Sequence, residues 1–154
     1  MKEIHENILT EKERQALLKF IKTKLKNFSD RHPGLQSDNN LHKYEELDIF
    51  LKKIKKYYAP YKVFSCWAFY SEGDSICWHD HHKEEKAVWS FVYYIKNEDG
   101  IGTMFKDPSI KTFDKIEYSC GKQNSLLKFP SDVIHSGPIN YKKLERYVVS
   151  LDVK

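Results

Sequence analysis

Cysteine is scarce in this chain: there are three, Cys66, Cys77 and Cys120, an odd number at unpatterned spacings. That argues against a disulfide framework and against a cysteine-based zinc site, and makes a reducing, cytoplasmic setting the expectation. Long hydrophobic runs are missing as well. None approaches the roughly 20 apolar residues that a membrane-spanning helix needs. The opening stretch MKEIHENILTEKER carries charges where a signal peptide would need an apolar segment. A dominant charge is also lacking, since 26 basic and 22 acidic residues leave a net +4. That balance is too mild to mark a nucleic-acid binder. Arginine is nearly absent: Arg14, Arg31 and Arg146 stand alone among lysines. In such a chain, an arginine points to a task that lysine cannot perform.

What is present suits one domain, 1–154, with little room for a second. A chain of 154 residues that is 40% hydrophobic and 14% aromatic is too apolar for disorder. At that length it can bury roughly 70% of its unfolded surface without staples.

Residues 1–60 read as helical. Thr10 and Glu13 fit a capping box, and Leu17, Leu18, Ile21, Leu25 and Phe28 follow at helical spacing. A loop is expected from Ser29 to Asn40, marked by Pro33, Gly34 and a polar run. Leu47, Phe50, Leu51, Ile54, Tyr57 and Tyr58 then predict a second amphipathic helix, ending before Pro60. Beyond Pro60 the texture changes to short runs rich in Val, Ile, Phe, Tyr and Trp between turn residues. Strands are expected near 62–70, 75–82, 87–95, 101–105, 113–118, 124–129, 132–136 and 145–153. The fold class is therefore α+β, mainly β: a sandwich, barrel or jelly roll in 61–154, supported by two helices.

Four of the seven histidines draw attention: His79, His81, His82 and His135. On a strand, His79 and His81 share one face, while Asp80 and His82 share the other. Two imidazoles so placed can hold one metal ion, with a third ligand from His135 on another strand. Three side chains on one side of an octahedral ion leave positions open for other ligands. A surface cluster with no ligand role is the plain alternative. At the carboxyl end, Arg146, Val148 and Ser150 share a face, opposite Tyr147, Val149 and Leu151. Arginine's planar fork suits a carboxylate, and the Ser150 hydroxyl could reach the same group.

These pieces come in a telling order. Trp67 and Ala68, then Gly73 and Asp74, precede His79, Asp80 and His81. The run from Ser90 to Tyr94 follows, then Phe105 to Pro108, Leu127 to Ser131, His135, and Arg146 to Ser150. The ordered set, from about residue 65 to 153, resembles the iron(II)- and 2-oxoglutarate-dependent oxygenases. It is most similar to the small oxygenases of this kind in bacteria and phages. The resemblance implies a double-stranded β-helix, or cupin-like jelly roll, with two helices outside it. It implies Fe(II), 2-oxoglutarate and O2 as reactants, and prolyl-hydroxylase-like C–H hydroxylation of a small-molecule or peptide substrate. His79 and His135 would be iron ligands. Arg146 and Ser150 would hold the far carboxylate of 2-oxoglutarate, and Tyr94 aligns with a tyrosine that often bonds this cosubstrate in prolyl hydroxylases.

One position departs from the superfamily pattern. Where an Asp or Glu usually follows the first histidine by two residues, this chain has His81. Three arrangements remain open: a site of His79, His81 and His135; a shifted strand with Asp80 as ligand and His82 beside it; or a silent site. The departure keeps two other functions in view, a jelly-roll binding module and a three-histidine metal dioxygenase that does not use 2-oxoglutarate.

Overall fold

The structure, a computed structural model, describes residues 2–26, 34–72, 78–82, 86–106, 116–139 and 142–154. Helix α1 spans Glu11–Lys24 and begins as its sequence dictates. The Thr10 hydroxyl accepts from the Glu13 amide at 3.2 Å, and the Glu13 carboxylate accepts from the Thr10 amide at 3.0 Å. Two backbone donors that the helix cannot satisfy internally are thereby capped. α1 stops earlier than its apolar pattern suggested, because Leu25 turns extended and Lys26 bridges to Gln36. Phe28 lies outside the described residues. Helix α2, Asp48–Tyr58, buries Phe50, Ile54 and Tyr58 and gives way to extended backbone at Ala59, the residue before Pro60.

The strands are β1 (Glu3–His5), β2 (Leu35–Gln36), β3 (Val63–Ser71), β4 (Trp89–Lys96), β5 (Ile101–Lys106), β6 (Ile116–Cys120), β7 (Ser125–Pro130), β8 (His135–Ser136) and β9 (Arg146–Val153). They form a six-stranded sheet in the order β1-β7-β4-β9-β3-β2 and a three-stranded sheet in the order β6-β5-β8. Every pairing between these strands is antiparallel. The first sixty residues are thus not purely helical: β1 and β2 cap the two edges of the large sheet. Both are very short, which hides them from periodicity. Of the strand expected at 75–82, residues 75–77 lie outside the described residues. The rest contributes a single bridge, His79 to His135.

Alternation along the large sheet sorts its two faces. Cys66, Ala68, Phe91, Tyr93, Val149 and Leu151 turn toward α1 and α2 and form one core with Leu17, Ile21, Phe50 and Ile54. Ring contacts tie this layer together: Phe50 meets Tyr93 at 4.9 Å, and Tyr58 meets Phe91 edge-on at 6.4 Å. Phe69, Tyr94, Leu127, Phe129 and Val148 turn the other way and pack with Phe105 of the small sheet. The expected jelly-roll architecture, a double-stranded β-helix buttressed by helices, is what the chain adopts.

Arg14 shows why a lysine would not serve everywhere. It is buried on α1, donates to the Ile95 carbonyl at 2.6 Å, and forks onto both oxygens of Glu11 at 2.7 and 3.0 Å. Its planar group ties the helix to the end of β4 through one bond while its other two are held by Glu11 of the same helix. Arg31 lies outside the described residues.

Candidate functional site

β9 carries the clearest signal. All eight of its residues are buried, as befits a central strand covered on both faces. Such a strand has no use for polar side chains in packing, since each costs desolvation unless it is bonded. Yet Arg146, Ser150 and Asp152 alternate on one face with Val148, and all four line a cavity between the two sheets. The partner strands present Trp67 and Phe69 from β3, and Ser90 and Val92 from β4, to the same space.

The histidines reach this cavity by a different route. Residues 78–82 lie beside the segment ending in β8. His79 donates its amide to the His135 carbonyl at 3.1 Å, and His135 returns the bond at 3.0 Å. This reciprocal pair puts two imidazoles opposite each other. The amide of His81 is fixed by the Ser131 carbonyl at 3.0 Å, which brings in the third. Ring centroids are 4.4 Å apart for His79 and His135, 4.9 Å for His79 and His81, and 5.0 Å for His81 and His135. One candidate ligand atom from each lies within 4.8 Å of the others. A single ion bonded to nitrogen at about 2.0–2.1 Å suits such a cluster. Asp80 does not join it. Its carboxylate accepts from the His82 amide at 3.2 Å, a local turn bond. His82 places Nδ1 at 3.3 Å from the Ala87 carbonyl, away from the cluster.

His135 and His81 each have one ring nitrogen engaged. His135 Nδ1 lies 2.9 Å from the Val133 carbonyl, which fixes a proton on that nitrogen and leaves Nε2 with its lone pair. His135 is also held neutral, its pKa pushed down to about 3, first by burial and then by His79, while the Val133 bond pulls the other way. Phe129, edge-on at 4.7 Å, supplies part of that burial. Nδ1 of His81 lies 2.6 Å from Asp152 Oδ2, and the Ser90 hydroxyl donates to Asp152 Oδ1 at 2.6 Å.

Elsewhere on the cavity wall sits Arg146, only 7% exposed. It donates to the Ile101 carbonyl at 3.1 Å, and its guanidinium lies over the Tyr94 ring at 5.8 Å. Burial lowers its pKa from the ordinary arginine value, yet arginine stays cationic in proteins. Among the described residues no carboxylate lies within ion-pair distance of it. A buried cation in that state is prepared for an anion. Tyr94 is fully buried, and its hydroxyl is engaged by Thr103, which donates its amide at 2.9 Å and places Oγ1 at 2.9 Å. Thr103, rather than Tyr94, is the member of this pair that lines the cavity.

The sequence reading brought together His79, His81, His135, Arg146 and Ser150. It gives no site role to Thr103, Ser90 or Asp152. Asp152 was within reach, because extending the alternation of Arg146, Val148 and Ser150 by two residues arrives at it. Ser90 lies two residues before Val92 on the same face of β4. Nothing local distinguishes Thr103 from other strand threonines. Gly73, Asp74, Asp107 and Pro108 lie outside the described residues.

No family model and no curated protein matches the sequence. Solved structures do match. A Pseudomonas putida prolyl-4-hydroxylase superposes with a TM-score of 0.69 at 14% identity, covering 99% of this chain and 91% of that one. The viral collagen prolyl hydroxylase of Paramecium bursaria Chlorella virus-1 gives 0.66 at 15% identity, over 99% and 88% of the two chains. HygX of Streptomyces hygroscopicus, solved with nickel and 2-oxoglutarate bound, gives 0.73 at 7% identity, over 99% and 82%. The neighbours are prolyl hydroxylases and non-heme 2-oxoglutarate-dependent proteins, the superfamily that the sequence resembles. At such low identities the likeness establishes the shared fold.

Proposed function

We propose that this chain is an iron(II)- and 2-oxoglutarate-dependent hydroxylase, related in chemistry to the prolyl hydroxylases and acting on a small-molecule or peptide substrate. The observation that carries the reading is the pairing, in one cavity, of three converging imidazoles with a buried arginine that has no carboxylate partner among the described residues. The donor set fits the metal: His79, His81 and His135 are nitrogen ligands on one side, and His135 is neutral and ready to bind at physiological pH. The missing acidic ligand leaves the set short of one negative charge, which bears on affinity and not on geometry.

The chain's own groups divide the work. Arg146 holds the far carboxylate of 2-oxoglutarate through paired charge-assisted bonds, and Ser150 and Thr103 offer hydroxyls along the same wall. Tyr94, its hydroxyl bonded to Thr103, holds that residue in place and lays its ring beneath the guanidinium. Phe69, Val92, Phe129 and Val148 keep water from the reacting centre. Bound at the histidines, iron(II) with O2 supplies the oxidising chemistry that couples 2-oxoglutarate decarboxylation to C–H hydroxylation. A reducing, cytoplasmic compartment suits both ferrous iron and the free thiols of Cys66 and Cys120.

Anaerobic titration of the iron(II)-loaded protein with 2-oxoglutarate tests the reading through the visible metal-to-ligand charge-transfer band. A saturable band is expected. Arg146→Lys keeps the charge but loses the fork, and should raise the apparent Kd for 2-oxoglutarate at least about tenfold, corresponding to about 1.4 kcal/mol. Iron bound without a band would favour the three-histidine dioxygenase, which the replacement of the acidic ligand by His81 already recommends as the second reading. No iron bound would leave the binding module.

A further inference from the structure

The three-imidazole cluster raises a physical question that Asp152 answers. Neutral imidazoles compensate none of a divalent ion's charge, and Phe69, Phe129 and Val148 on the same cavity wall supply none either. Asp152 is fully buried, in register opposite Ser90 on β4, and points into the same cavity. Both of its oxygens are engaged: Oδ2 with His81 Nδ1 at 2.6 Å, and Oδ1 with the Ser90 hydroxyl at 2.6 Å. Ser90 has one proton and gives it to Asp152. The 2.9 Å contact between the Ser90 and Ser131 hydroxyls is therefore donated by Ser131. Ser131 in turn accepts the His81 amide at its carbonyl. The chain of bonds thus closes on itself, from His81 through Asp152, Ser90 and Ser131 back to His81.

We propose that Asp152 is the positioning residue of the metal centre, delivering through His81 the negative charge that the ligand set lacks. The carboxylate accepts the Nδ1 proton of His81, which fixes the tautomer and puts the lone pair of that ring on Nε2. The same bond makes the imidazole a stronger electron donor. The usual carboxylate ligand is in effect moved one imidazole outward, from the ion's own shell to the ring behind it. This arrangement rests on the metal reading above, and it explains how a histidine can stand at position 81 without abolishing that site.

The test measures metal binding and tautomer rather than turnover. Cobalt(II) affinity would be determined by competition against a chromophoric chelator, for wild type and for Asp152→Asn, with circular dichroism confirming that both are folded. Asparagine keeps the shape, removes the charge, and can present its NH2 to Nδ1, which forces the proton onto Nε2. A loss of about 10–100-fold in affinity is expected. Affinity within twofold of wild type in a folded variant would overturn the proposal while leaving the metal site intact. A wild type that binds no cobalt would instead remove the metal reading itself. Should Asp152→Asn not fold, the wild-type protein decides alone. In the zinc(II)-loaded form, long-range proton–nitrogen NMR should show His81 Nδ1 protonated and Nε2 shifted by the ion. The reverse assignment would refute the role given to Asp152.

Discussion

At the scale of single residues, His135 is the group on which the fold acts hardest. An imidazole in the unfolded chain titrates near 6.5, whereas here burial, His79 and His81 push the value down to about 3. Between those two values the unfolded chain takes up a proton that the folded chain refuses. Stability of the metal-free protein is therefore unaffected by this group above about pH 6.5 and falls as pH drops toward 3, by up to about 1.4 kcal/mol per pH unit. Other groups, including the hydrogen-bonded carboxylate of Glu13, add acid sensitivity of the same sign, so the informative quantity is a difference. Urea denaturation of wild type and His135→Gln between pH 7.5 and about 4.5 should show a shallower pH slope in the variant. Equal slopes would mean that His135 is not held neutral by its surroundings. The sequence made this residue visible as a candidate but not its titration, because the causes are burial, to which Phe129 contributes, and two other histidines, all brought close only by folding. Asp152 is legible by alternation from Arg146, Val148 and Ser150, but its partners His81 and Ser90 are brought to it only by folding.

At the scale of elements, what was legible depended on how local its cause was. The start of α1 is set by four neighbouring residues and could be read directly. Its end is set by the bridge from Lys26 to Gln36, ten residues on, and could not. β9 was readable because it is long and its cavity face carries polar residues between the apolar residues of its other face, while β1 and β2 are too short to show any period. The same distinction orders the energetics of the helical layer. Ile54, fully buried between α2 and the large sheet, should cost about 2–5 kcal/mol on replacement by alanine, because a cavity remains where the side chain packed. Thr10→Ala removes one cap bond at an exposed helix start and should cost about 1 kcal/mol. Urea midpoints at unchanged m-values would check the ranking. A larger effect at Thr10 than at Ile54 would mean that α1's own formation, and not its packing on the sheet, limits stability.

At the scale of the whole molecule, the large sheet separates two kinds of interior. Its helix-facing side is apolar, with Ile21, Leu47, Phe50 and Ile54 fully buried or nearly so against the strands. Its other side gives buried positions to Arg146, Ser150 and Asp152, facing His135 of the small sheet across the cavity, where packing yields less and polar groups need partners. Stability should then reside on the first face and ligand response on the second. Anything that binds only the folded state raises its stability by RT ln(1 + [L]/Kd), about 2.7 kcal/mol at a hundredfold excess over Kd. For a chain of this length, that corresponds to a rise of about 5–10 °C in Tm. Iron(II) and 2-oxoglutarate under argon should together produce such a rise, and 2-oxoglutarate without metal should produce much less. Arg146→Lys should keep the metal increment and lose most of the 2-oxoglutarate increment. Ile54→Ala should melt far lower than wild type yet gain the same increment from both ligands, since distant sites without shared partners contribute additively. A ligand increment that vanishes in Ile54→Ala would show the two faces to be coupled, with β9, whose residues alternate between them, as the element that transmits the change.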